Sequence, residues 1–249
     1  MTGFIDSPFA VLFVTFVALS GAAYIADGPI RRLRPIKKDE RVDFDTALTA
    51  TLTLLGLIIA FSFSMAVSRY DQRINCEEAE ANAIGTEYRR ADLLPAAAAA
   101  RLHKLLGDYL NQRIRFYLER PTGDGGTEFA KLQAELWSVV AANTQPNPTI
   151  TLTISGMDDV LNSQGCTQAA WLNRIPGAAW AFLALIAIFA NFLMGYRERS
   201  TGMFALLALP IVVSIAFFLL ADIDSPGGGG IIHIAPRNLI SASQSMAKH

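Results

Sequence analysis

The chain has 249 residues, 52% of them hydrophobic and 17% charged, with a formal net charge of −1. That balance offers no basic surface for nucleic acid and no strong field for acidic partners. A mean hydropathy of +0.32 lies on the membrane side of globular averages.

Ser7–Ala26 is a run without a single Asp, Glu, Lys, Arg or His, and Thr46–Ser68, Ile175–Tyr196 and Ser200–Ala221 are three more. At about 1.5 Å per residue, helices of ~20–23 residues reach ~30–35 Å, the thickness of a hydrocarbon core. Only a helix satisfies its own backbone while crossing lipid, so four membrane-spanning helices are expected. The first is read as a retained span rather than a cleaved leader. Met1–Asp6 carries an acid and no base, and the basic cluster follows the run instead.

That cluster lies in Asp27–Asp45 and holds Arg31, Arg32, Arg34, Lys37, Lys38 and Arg41; the loop between spans three and four adds Arg197 and Arg199. The opposite side has a base-free N-terminus, Arg237 and Lys248 in the tail, and Arg69, Arg73 and Arg174 on the flanks of the large central block. Basic loops stay in the cytoplasm, so both termini and the central block are expected outside.

Span two carries a stripe of small or hydroxyl residues, Thr49, Thr53, Gly56, Ala60 and Ser64, on one helical face. Such a stripe suits close helix–helix approach. It could instead line a polar pathway with Phe61, Phe63 and Met65 as a hydrophobic constriction. Beyond Ser68 helix formers dominate to Leu94, so the span is expected to continue out of the bilayer until Pro95 interrupts it.

The central block of about 105 residues is long enough to pack as a domain. Ala96–Arg120 places Leu102, Leu105, Leu106, Tyr109, Leu110, Ile114, Phe116 and Tyr117 largely at three- and four-residue spacing, the pattern of an amphipathic helix. Pro121–Gly126 reads as a loop, Glu128–Ala142 as a third helix with Phe129, Leu132, Leu136, Val139 and Val140 inward, and Asn143–Pro148 as a break. Thr149–Asn173 opens with strand-like alternation but is assigned to helix, because one short strand would have no partner.

Cys76 and Cys166 are the only cysteines. If helices leave and re-enter the membrane nearby, both thiols stand roughly 10–15 Å above the same surface. In an oxidising compartment they could form a disulfide; otherwise they are two small buried hydrophobes. Glu77, Glu78 and Glu80 read as a solvated helical face.

Asn191 is the one carboxamide in the spans and is expected to hydrogen-bond a neighbouring helix. No ionisable group lies at mid-membrane, which argues against a proton-coupled transporter. Pro210 is expected to kink span four. His103, His233 and His249 lack metal-ligand spacing, and Gly227–Gly230 lacks the Lys-Ser/Thr of a phosphate loop. No cofactor or enzymatic activity is expected; Asp222, Asp224 and His233 are the modest exceptions considered.

Gly56–Arg73, Glu78–Leu94, Asn173–Pro176 and Ala221–Pro226 together resemble the bacterial bestrophin-like membrane proteins, in order and spacing over nearly the whole chain. The resemblance implies a multi-pass protein of the bacterial inner membrane. Its more distant likeness is to true bestrophins, pentameric anion channels, and implies Phe61, Phe63 and Met65 as the nearest positions to a pore neck. In those channels the termini and helical domain are cytoplasmic, the reverse of the orientation that the Arg31–Arg41 loop implies here.

The expected architecture is all-α, with a first transmembrane hairpin at 1–68, an extramembrane helical domain at 69–174, a second hairpin at 175–221 and a tail at 222–249. Its expected partners are the lipid bilayer, further copies of the chain and small anions. The alternative function is a non-conducting structural or sensory protein whose helical domain binds a partner.

Overall fold

The computed structural model describes residues 7–33, 40–119, 125–142, 148–197, 203–225 and 230–248. All regular elements among them are helical: α1 (Pro8–Ile25), α2 (Arg41–Arg90), α3 (Ala96–Glu119), α4 (Gly125–Ala141), α5 (Pro148–Leu172), α6 (Gly177–Tyr196), α7 (Met203–Asp224) and α8 (Arg237–Met246). The helical runs Pro8–Ile30, Arg41–Leu93, Ile150–Tyr196 and Leu206–Asp224 each contain a stretch long and apolar enough to cross a membrane. The protein is an all-α integral membrane protein with a helical extramembrane domain between spans two and three. Arg34, Lys37, Lys38, Arg199, His249, Pro121–Asp124, Asn143–Gln145 and Gly227–Gly229 lie outside the described residues.

The helices form two compact units, Met1–Tyr70 with Arg174–His233, and Asp71–Asn173 with Ile234–His249. Helix α2 contributes to both, because nothing between Arg41 and Arg90 breaks it; Gly85 is its only punctuation outside the membrane. Pro95 follows its end, as expected, and α3 begins at the next residue.

In the first unit, Leu19, Leu55, Ala66, Trp180, Leu183, Ala187, Phe217 and Leu220 belong to one buried cluster. Trp180 meets Phe217 edge-on with ring centroids 6.1 Å apart. Lipid is as apolar as these side chains, so shape rather than water exclusion holds such helices together. Gly195 of α6 makes a close backbone approach: an added Cβ would collide with the backbone of Ala23 near the end of α1. Asn191 corrects one expectation. Although buried, its amide nitrogen donates to the Ala187 carbonyl of its own helix at 2.8 Å, the groove available within a single turn.

In the second unit, α3 buries Leu102, Leu105, Leu106, Tyr109, Leu110 and Tyr117, while Ile114 and Phe116 are only half-buried. Helix α4 begins three residues before the expected Glu128 and buries Leu136, Val139 and Val140. The ambiguous Thr-Ile-Thr-Leu-Thr-Ile run is helical, and its alternation reflects no sheet. Helix α5 instead runs antiparallel along the later half of α2: Arg73 reaches Ala170 and Asn173, Cys76 meets Cys166, Glu80 meets Thr167, and Arg90 meets Leu152. Each step up one helix is matched by a step down the other.

Candidate functional site

Helix α2 carries the candidate residues, and its membrane part is only one-sidedly packed. Leu48, Leu55 and Ala66 are buried, whereas Thr49, Thr53, Gly56, Ala60 and Ser64 are all exposed in the single chain. Among the described residues, nothing within one copy buries this stripe. The hydroxyls of Thr49 and Thr53 donate back to the carbonyls of Asp45 and Thr49, so neither leaves a proton unpaired in an apolar setting.

Phe61 is 62% exposed, Met65 51% and Phe63 41%. At 100° per residue, Phe61 and Met65 lie about 40° apart and share a face with Leu57, itself exposed. Phe63 points about 160° from Phe61, on the far side of the small-residue stripe. The three neck candidates thus divide into a pair and a singleton.

Where α2 leaves the first unit, two buried carboxylates organise the chain around it. Asp224, at the end of α7, lies 3.5 Å from the guanidinium of Arg69 and accepts the backbone N–H of Ile175 at 3.0 Å. Asp222 accepts the N–H groups of both Ile231 and Ile232 at 3.0 Å. A side chain at Gly230 would overlap this carboxylate, so the returning chain needs glycine there. Both acids accept backbone N–H groups and act as anchors of the chain.

The extramembrane half of α2 is charged and yet buried. Arg73, Cys76, Glu77, Glu80, Ile84 and Glu87 recur every three or four residues and form the inward stripe. This corrects the solvated-face reading of the acidic run: Glu77 and Glu80 are buried, and only Glu78 is exposed. Glu80 holds Arg113 of α3 in a bidentate pair and accepts the Thr167 hydroxyl at 3.1 Å, while the Arg113 guanidinium lies over the rings of Phe116, Tyr117 and Phe129. Such a fork satisfies both charges in low dielectric. Burial beside Glu80 pushes the phenols of Tyr109 and Tyr117 well above their ordinary range.

Glu77 has a different task. Its carboxylate accepts the N–H groups of Asn238 and Leu239 at 3.0 Å and the Asn238 side-chain amide at 2.7 Å. It caps the first turn of α8 from another helix, meeting orphan amides and the positive end of the helix dipole. The sequence signal was the spacing of the acids with Arg73 and Ile84; charge masked it.

Cys76 and Cys166 stand as a disulfide pair with Cα atoms 5.8 Å apart, tying α2 to α5 across 90 residues of sequence. Near the far end of the same seam lies Glu87, fully buried, with neither carboxylate oxygen hydrogen-bonded among the described residues. Burial, opposed by Arg90 and reinforced by Asp159, raises its pKa to about 8. Among the described residues no three His, Cys, Asp or Glu side chains gather as a metal site.

The comparisons with known proteins agree with this architecture. The model of the bestrophin-like domain matches residues 15–232. A crystal structure of a point variant of a bacterial bestrophin homologue from Klebsiella pneumoniae is similar with a TM-score of 0.69 and 13% identity, over 97% of each chain. Another structure of a bestrophin homologue from the same organism gives 0.67 and 14%, over 96% of each chain. No curated protein matches the chain. The low identities establish a shared fold, and the domain match spanning most of the sequence establishes kinship: the chain belongs to the bestrophin-like family.

Proposed function

We propose that copies of this chain assemble side by side in the membrane around a conduit for small anions, with α2 lining it. The observation that carries this reading is the unpartnered face of α2. Leu57, Phe61 and Met65 expose one apolar row beside the small-residue stripe Thr49, Thr53, Gly56, Ala60 and Ser64. Small residues suit contact between copies, and the adjacent apolar row suits a hydrophobic neck. The bestrophin-homologue fold supports the same arrangement. The test is chloride efflux from proteoliposomes holding the purified chain. Efflux above that of empty vesicles is expected, and efflux equal to theirs would reject conduction.

A second reading is a non-conducting structural or sensory membrane protein whose helical domain binds a partner on the outer side of the membrane. It is favoured by the Cys76–Cys166 pair, since disulfides persist in oxidising compartments. Together with the basic residues at Arg31, Arg32 and Arg41, that pair supports an inner-membrane protein with the second unit outside, opposite to the true bestrophins.

A further inference from the structure

Among the described residues, α2 and α5 bury side-chain oxygens without a hydrogen-bond partner, those of Glu87 and of Thr153. Glu87 has no exposed surface, and neither of its carboxylate oxygens has a donor. A charged carboxylate in that state loses its hydration and gains only the nearby charge of Arg90, without a hydrogen bond, so the site favours the neutral acid. Opposite it stands Gly156 of α5, and a methyl group there would overlap both the Glu87 carboxylate and the Arg90 guanidinium. Glycine at 156 leaves the room in which the acid lies between the helices.

Immediately beside this seal the seam opens. A groove of about 490 Å³ is bordered by Asn82, Thr86 and Arg90 on α2 and by Gly156, Asp159 and Ser163 on α5. Gly156 and Arg90, which adjoin Glu87, both border this groove, which offers a proton leaving Glu87 a path to solvent. The charged groups acting on it are Arg90 on its own helix and Asp159 on α5. Arg90 is held by the Leu152 carbonyl at 3.1 Å, one turn from Gly156.

We infer that Glu87 is a protonation latch: as a neutral acid it keeps the α2–α5 seam closed at Gly156, and as a carboxylate it draws in water and loosens that end. The Cys76–Cys166 pair holds the other end, so the opening is confined to the stretch from Asn82 to Arg90 and from Leu152 to Ser163. The raised pKa of about 8 puts the change at mildly alkaline pH. The latch does not depend on whether the chain conducts ions.

Hydrogen–deuterium exchange of the full chain in nanodiscs tests this directly, with rates corrected for intrinsic base catalysis. Between about pH 6 and about pH 9, peptides covering residues 82–90 and 152–163 should lose about tenfold of their protection, while residues 102–117 of α3 stay constant. Glu87→Gln should abolish the pH dependence. Should that variant not fold, Asp159→Asn serves, because removing the exposed neighbouring charge should move the transition to lower pH. Constant protection in the parent protein, an unchanged profile in Glu87→Gln, or an unmoved midpoint in Asp159→Asn would each overturn the latch.

Discussion

Asp224 joins the end of α7 to Arg69 and to the backbone at Ile175, so its removal strips a buried cation and a buried N–H together. Asp224→Ala should lower stability by about 2–3 kcal/mol, measured by unfolding in mixed micelles. Glu87 acts in the opposite direction. Its pKa in the fold, about 8, lies above its ordinary 4.5, so between those values the folded chain holds a proton that the unfolded chain has released. Stability from this residue is complete below pH 4.5 and is lost as pH rises towards 8, by at most about 5 kcal/mol. Glu87→Gln should flatten that slope, read from the difference between the two proteins' midpoints against pH. Little of this was legible in the sequence. The three-and-four spacing of Arg73, Glu77, Glu80 and Glu87 marks a helical face, but which face is inward depends on α3, α5 and α8 supplying Arg113, Thr167 and Asn238.

At the level of elements, the membrane helices and α3 were readable because charge-free length and apolar periodicity follow from the chain's own chemistry. The small-residue stripe illustrates the limit: composition marks a surface for close approach but not its partner, and within one chain the close approach is at Gly195 instead. Gly195→Ala should force α1 and α6 apart and cost about 1–3 kcal/mol, visible in the same unfolding assay. Helix α8 escaped sequence reading because Arg237–Met246 holds only two large aliphatic residues, Leu239 and Ile240, before its terminal Met; its first turn depends on Glu77 from a distant helix. The α2–α5 pairing could be anticipated only as two cysteines at equal height. If the disulfide forms in the cell, Cys76→Ser should cost about 4–5 kcal/mol in the chain-entropy model, and reductant should lower the parent's midpoint but leave the variant's unchanged.

For the whole molecule, sidedness and conduction are separate questions. In intact cells, an impermeant maleimide should label Cys76 and Cys166 only after an impermeant reductant, as expected if the second unit lies outside; labelling only after permeabilisation would place it in the cytoplasm. Conduction turns on the face of α2 on which Leu57, Phe61 and Met65 lie together and Phe63 does not. The decisive measurement is chloride flux through proteoliposomes holding the parent chain, Phe61→Ala, Met65→Ala or Phe63→Ala. The expected result is measurable flux in the parent, altered several-fold, on the order of 3–10 times, by the changes at Phe61 and Met65 and little by the change at Phe63. No flux in the parent, or an effect confined to Phe63, would contradict an α2-lined conduit.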